Sequence, residues 1–402
     1  MTLRAMLDPA ILPSYLSSAV RIARRSAQGP RRYQGDAPAI CRAAIDACWT
    51  GDHFVASGGH FRQLWIRDLG FSAEPLVRSG YADRVSASLA WALDAWAVRG
   101  RVTTTIFPGR RARDVYTFGI DSLPLLLHAL RASRAEALVR RHGDWLAREV
   151  ARYVSEVIDP QTGLVRTDRR FSSHRDTVQT SSNAYANTMV VLLDRILRET
   201  GWFRSPVPPG ATDHFLAAFW RGDRFVETPD SEEVTGDATV FPFWLGVASP
   251  ELGLAAALRA ARVVGLTEPL PLRYAVRRQP AFEDRVQRLF VPNYQGTSIW
   301  TSLGAIYLHL LRTVDPIAAE TGIASYRNLV EREGTVWEVL DGSLRPYVGR
   351  LGLFRADEAM LWSVILLDLF GSAVGGATRI VDPPVPEIEG RPAGDVDRPE
   401  EA

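Results

Sequence analysis

The chain is poor in cysteine, contains no lysine and has no long apolar run, and each shortage removes a class of explanation. Its two cysteines, Cys41 and Cys48, are seven positions apart. On a helix rising about 1.5 Å per residue they stand roughly 10 Å apart, more than the about 7 Å that the Cα atoms of a disulfide can span. Two unpaired thiols are expected, and with them a reducing, cytoplasmic setting. Residues 1–25 mix apolar side chains with Asp8 and several arginines and lack a signal-peptide core. No stretch reaches the ~18 apolar residues of a membrane span, so no membrane partner is expected. All 47 basic residues are arginine and 46 acidic ones nearly cancel them. No global field therefore favours nucleic acid.

The motifs of several chemistries are missing too. There is no GxxxxGK[ST] or GxGxxG phosphate loop, no HExxH, no CxxC and no GxSxG elbow. The seven histidines are scattered; the nearest pair, His53 and His60, has no common metal-ligand spacing. No metal and no cofactor are expected.

What is present is helix. Val85, Leu89, Leu93 and Trp96 fall at i, i+4, i+8 and i+11, an amphipathic stripe. Similar patterns predict about thirteen helices, among them 36–49, 69–79, 119–132, 134–154, 183–199, 250–263, 298–313 and 356–372. Strand signals are weak. No 34–45-residue repeat supports a solenoid, which leaves an all-α closed ring of six helical hairpins, an (α/α)6 toroid, as one single domain. Residues 1–35 read as an N-terminal helical extension and 36–376 as the barrel. Residues 377–402, rich in proline and acidic side chains, read as a disordered tail. A monomer or small homo-oligomer is expected.

Six polar and aromatic clusters recur at helix starts and loops: Trp65-Ile66-Arg67-Asp68, Tyr116 to Ser122 with Asp121, Phe171 to Asn187 with Asp176 and Asn183, Gly236-Asp237-Ala238-Thr239, Asn293 to Trp300 with Tyr294, and Trp337-Glu338. Taken singly, Asp68 and Asp121 fit helix N-caps equally well. Taken together, carboxylates that accept paired hydroxyls beside indole faces that cover C–H surfaces suit a sugar site. In a ring of hairpins alternate loops share one face, so such clusters converge on a central crater.

These residues resemble a family. Trp65 to Asp68 is similar to the W-L-R-D-S motif of the metal-independent exo-α-1,6-mannosidases, and Tyr116 to Leu123 to their F-E-L-D-S-L. Phe171 to Thr177 resembles F-R-P-S-D-D-A, Asp237-Ala238-Thr239 resembles D-D-A-N, Trp337-Glu338 stands where the family has H-E-S, and Trp362-Ser363 echoes S-W-A-N. The order is kept from about residue 50 to 372. His174-Arg175, Trp337 and Val339 depart from the pattern. Glucoamylases (W-x-R-D) and neutral invertases (V-R-D, V-D-S-G) are also similar. The resemblance implies an inverting, exo-acting α-glycoside hydrolase with a carbohydrate substrate, Asp176 as general acid and Glu338 as general base. Asp168 is the alternative acid, and inversion puts the two carboxyls roughly 6.5–9.5 Å apart. Trp65, Arg67, Asp68, Asp121, Asn183, Asp237, Tyr294, Trp300 and Trp337 would hold the sugar. Two rivals stand beside this reading. One is an epimerase or lyase on the same toroid using His174 or Tyr185; the other is a glycan-binding ring without chemistry.

Since residues 380–402 lack an apolar face, their removal is expected to leave the melting temperature unchanged. A fall of several degrees in a thermal melt overturns this.

Overall fold

In the computed structural model, which describes residues 20–371 apart from 26, 116, 173, 176–178, 181, 280–284, 351 and 353, the chain runs in this order. First come α1 (Ala37–Ala47), β1 (Leu64–Trp65), α2 (Ile66–Arg78), α3 (Ala82–Arg99), β2 (Thr105–Phe107), β3 (Arg111–Arg113) and α4 (Ser122–Ala132). Then follow α5 (Glu136–Arg141), α6 (Gly143–Val157), β4 (Phe171–Ser172), β5 (Gln179–Thr180), α7 (Ala184–Thr200), α8 (Ala211–Phe219), α9 (Gly236–Trp244) and α10 (Leu254–Val263). The last are α11 (Arg285–Phe290), β6 (Ile299–Trp300), α12 (Thr301–Val314), α13 (Pro316–Glu333), β7 (Val339–Leu340) and α14 (Ser363–Gly371). The tail expected over 377–402 lies outside the described residues.

Helices without a polar face must be surrounded by protein. In α4 every residue from Ser122 to Leu130 is buried, and α2, α7, α9, α12 and α14 are buried along nearly their whole lengths. These six form the inner ring. α2 packs on α4, α4 on α7, α7 on α9, α9 on α12, α12 on α14, and α14 returns to α2. Around them stand amphipathic helices: α3 against α2 and α4, α6 against α4, α8 against α7, α10 against α9 and α12, α13 against α12, and α1 against α14. This is the all-α (α/α)6 toroid.

Local signals set the helix ends. Asp36 and Asp315 cap α1 and α13 through side-chain acceptors, at 2.9 Å from Ala39 N and 3.0 Å from Ala318 N, with prolines in the first turns. Three predicted spans differ from the structure. The helix expected over 134–154 is two, because Gly143, a weak helix former, opens a new segment after α5. The one over 250–263 begins as a 3-10 turn, Pro250–Leu252, before α10. The one over 356–372 starts only at Ser363, because 356–362 is loop. The sequence also hid short antiparallel pairings: β1–β2–β3, β4–β5 and β6–β7. They matter because β1 runs directly into α2 and β6 directly into α12.

Gly70 marks the tightest approach in the inner ring. A Cβ there would stand 2.6 Å from Leu125 Cβ and 3.0 Å from Leu125 O, so α2 and α4 meet nearly backbone to backbone. Alanine is the better helix former by about 1 kcal/mol, yet overpacking costs about 1–3 kcal/mol. Gly70→Ala is therefore expected to lower the melting temperature. An unchanged or higher value means that the ring relaxes freely at this contact.

Candidate active site

The inner helices begin on one side of the ring, and the clusters singled out in the sequence collect there through direct contacts. β1 holds Trp65 opposite Thr105 and delivers Arg67 and Asp68 into the first turn of α2. Trp65, not Asp68, occupies the N-cap position. Arg67 is 6% exposed; its Nε donates to Asp121 Oδ2 at 2.5 Å and its Nη1 to the His174 carbonyl at 3.2 Å. Asp121 sits at the N-cap of α4 but makes no side-chain cap hydrogen bond. Its carboxylate instead takes Arg67 and the Tyr185 hydroxyl, 2.7 Å away. The capping reading thus fails for both aspartates. Asn183 does cap α7, at 2.8 Å from Ala186 N, so its side chain is committed to the backbone. Thr235 takes the cap position of α9, while Asp237 accepts from Thr235 Oγ1 at 2.6 Å and from the Tyr274 hydroxyl.

His174 lies between these groups. Its ring stacks with Tyr274 at 5.9 Å and meets Phe241, Tyr185 and Trp300 at 5.2, 5.5 and 5.7 Å. Burial, then the charges of Arg67 and Arg175, push its pKa well below the ordinary value, so the ring is neutral. Arg175, 1% exposed, pairs with Glu227, donates to Gln279 Oε1 at 2.6 Å and covers the Tyr274 ring at 4.2 Å. Burial raises Glu227 while Arg175 pulls it down and Asp237 pushes it up again.

On the opposite flank stands Glu338, just before β7. Its Oε2 accepts from the main-chain N–H of Asp357 at 3.3 Å, and the Tyr294 side chain lies close enough to draw its pKa down. Tyr294 packs on Trp300 at 5.5 Å, and Trp300 Nε1 donates to the Tyr294 carbonyl at 3.2 Å. Burial, then the nearby charges of Asp357 and Asp68, push Glu338 up to about 8. The structure thus joins Arg67, Asp121, Asp237, Tyr294, Trp300 and Glu338 through a continuous set of contacts, with Asp68 close enough for Glu338 to feel its charge.

Four residues turn out differently or stay open. Trp337 is 2% exposed and its indole N–H goes to Glu333 Oε2 at 3.2 Å. Its burial and that bond commit the Trp337 indole to the end of α13. Asp168, the alternative acid, has a 61% exposed side chain paired with Arg166 at 2.7 Å, and this hydrogen bond holds its carboxyl below the usual range. An exposed carboxylate held ionised cannot store the proton that an acid needs. Asp176 and Tyr116 lie outside the described residues.

Sequence reasoning missed Asp357, Ser57, His60, Tyr274 and Glu227. The paired glycines Gly58-Gly59 were the available signal: a Cβ at Gly59 would run into the Asp357 carboxylate. Among the described residues, no group of three or more His, Cys, Asp or Glu is arranged to hold a metal ion. Both thiols are free and buried, as the spacing of Cys41 and Cys48 indicated.

Comparison with known proteins adds to the fold. A glycosidase variant in complex with glucose superposes with a TM-score of 0.60 at 13% identity, covering 87% of this chain and 95% of that one. A GH63 mannosylglycerate hydrolase from Thermus thermophilus in complex with Tris and D-glycerate gives 0.56 at 14%, covering 83% and 99%. A rhamnosidase from Klebsiella oxytoca with rhamnose bound gives 0.55 at 15%, covering 84% of this chain and 64% of that one. No family model matches the chain, and no curated protein matches it either. The likeness is one of fold: this chain has the toroid on which those glycosidases are built.

Glu338 carries a stability consequence. Its folded pKa of about 8 lies above the ordinary 4.5, so between those values the folded chain keeps a proton that the unfolded chain has lost. Stability therefore falls as pH rises through this window, by up to about 1.4 kcal/mol per pH unit. Glu338→Gln removes the loss. The variant is expected to melt above the parent at pH 8–9 and close to it at pH 5. Equal melting of the two proteins at every pH would mean that Glu338 is not held protonated.

Proposed function

We propose that this protein hydrolyses α-glycosidic bonds with inversion, removing a terminal sugar held in the crater at the helix starts. One observation carries the reading. Among the described residues, the starts of the inner helices retain buried polar atoms with no partner, namely Asp121 Oδ1, Trp65 Nε1 and His174 Nδ1. Buried polar atoms are normally satisfied, so a cluster left open between aromatic rings suits a polyhydroxylated ligand that completes it. Asp121 and Asp68 supply acceptors for hydroxyls, neutral His174 supplies one ring nitrogen, and Trp65 supplies a donor.

In the chemistry proposed, Glu338 takes a proton from water as its oxygen bonds to the anomeric carbon. Asp176 gives a proton to the departing glycosidic oxygen. One water is consumed, the C–O bond breaks and the configuration inverts. A pKa of about 8 keeps Glu338 protonated at neutral pH, so in this role it works only once the pH rises far enough to ionise it. The resemblance to exo-α-1,6-mannosidases makes the α-mannoside the first substrate to try. The two carboxyls suffice for the reaction, and no metal is assigned a part in it.

The test is an aryl α-glycoside panel with the product anomer read by NMR. Turnover with an inverted product, abolished in Glu338→Gln and in Asp176→Asn, is the expected result. On a 2,4-dinitrophenyl glycoside, whose leaving group needs no proton, Asp176→Asn alone should recover. The ascending limb of kcat/KM should fall near pH 8, because the base works only once ionised. A descending limb there exchanges the two roles. Binding without turnover leaves a glycan-binding ring, and loss of activity in His174 or Tyr185 variants with an active Glu338→Gln points to the epimerase or lyase class.

A further inference from the structure

The residues around Glu338 include a second carboxyl that touches no open space. Asp357 is 0% exposed, in the loop ahead of α14. Its carboxylate accepts from His60 N at 2.9 and 3.0 Å, Phe61 N at 2.8 Å, Glu358 N at 3.0 Å and the Ser57 hydroxyl, and it faces His60 Nδ1 at 3.0 Å. Gly59 allows the backbone this near, since any side chain there would collide with the carboxylate. Such a shell serves an anion: backbone N–H groups and a hydroxyl converge on two oxygens. The main chain of the same residue is spent on Glu338. Asp357 N donates to Glu338 Oε2 at 3.3 Å, and Glu338 N donates to Asp357 O at 2.8 Å.

We propose that Asp357 is a positioning residue for the reaction: its main-chain N–H aims the Glu338 carboxyl, and its fixed negative charge sets the basicity of Glu338. The inference rests on the glycosidase reading for its chemistry. Its electrostatic core does not, because the Asp357–Glu338 contact exists whatever the substrate. Burial alone would raise Asp357. The His60 ring, the Ser57 hydroxyl and the His60 main-chain N–H hold it below the usual carboxylate range, so it stays ionised while its neighbour stays protonated. Two buried carboxyls with opposite shifts form an arrangement in which one charge tunes the other. Other groups face the pair and act in known directions. Asp68 adds to the upward push on Glu338, the Tyr294 hydroxyl opposes it, and Arg21, Arg25 and Cys48 lie within range of the Asp357 charge.

The test reads the titration of Glu338 without relying on activity. Melting temperature is measured from pH 5 to 10 for the parent and for Asp357→Asn and His60→Gln, each alone and combined with Glu338→Gln. The difference between each pair isolates the Glu338 proton. Asp357→Asn removes the charge and should move the Glu338 midpoint down by about one pH unit or more. His60→Gln removes a group that offsets that charge and should move the midpoint up. Shifts of opposite sign are not produced by mere loosening of the fold. On the aryl α-glycoside turned over by the parent, the ascending limb of kcat/KM should follow the same two directions, with kcat reduced and KM unchanged in Asp357→Asn. Midpoints that stay in place in both variants overturn the inference, and the glycosidase reading survives if Glu338→Gln is inactive. Conversely, an active Glu338→Gln sinks the glycosidase reading while the melting data still decide the role of Asp357. Should Asp357→Asn fail to fold, the His60→Gln arm decides alone: an upward shift supports the inference and none overturns it.

Discussion

Closing six buried helices into a ring constrains everything else in this molecule. A helix surrounded on all sides has no flank on which to keep polar side chains, so the polar groups are forced to its ends. At the starts of α2, α4, α7, α9 and α12 they accumulate on one side, and there they must satisfy one another. The result is a compact exchange of partners: Arg67 with Asp121, Tyr185 with Asp121, Tyr274 with Asp237, and Arg175 with Glu227. The same requirement makes the exceptions informative. Where the exchange stays incomplete among the described residues, as at Asp121 Oδ1 and His174 Nδ1, polar atoms lie buried without a partner.

The fold was legible because its signal is long and periodic. An apolar helix such as α4 declares its burial in every residue, and the ring follows from the number of such helices. Half of the site was legible for a different reason. Arg67-Asp68, Asp121 and Glu338 stand next to aromatic residues at helix or loop boundaries, where local pattern is readable. The other half arises from contacts between residues far apart in the chain. Asp357 is 297 positions from His60, and Arg175 is 52 from Glu227. No spacing rule links such pairs. The errors share a cause as well. Asp168 looked as good an acid as any aspartate in a polar loop until its exposure was visible, and Trp337 stands beside Glu338 in sequence while its indole is taken by Glu333.

The two carboxyls beside β7 illustrate how a stable scaffold tolerates an unfavourable centre. Keeping Glu338 buried next to Asp357 and Asp68 works against folding above about pH 5, since the folded chain must then hold a proton that the unfolded chain gives up. The surrounding ring makes up for it through well-packed apolar contact. Such local conflict inside a consistent framework is where function is expected to reside.

The pairing of α1 with α14 has a consequence of its own. These two helices meet where the ring joins its end to its beginning, and both thiols of the protein sit on that side, in α1 and at its end. Cys48 Sγ lies 3.2 Å from the Ala359 carbonyl, in the loop that also carries Asp357. Burial pushes both thiols up, so neither forms appreciable thiolate in the closed ring. Maleimide labelling of the untouched protein thereby becomes a clock for one event, the parting of the first helix from the last. Its rate under native conditions measures how often the circle opens, at the place where opening would also release the loop that steadies Glu338.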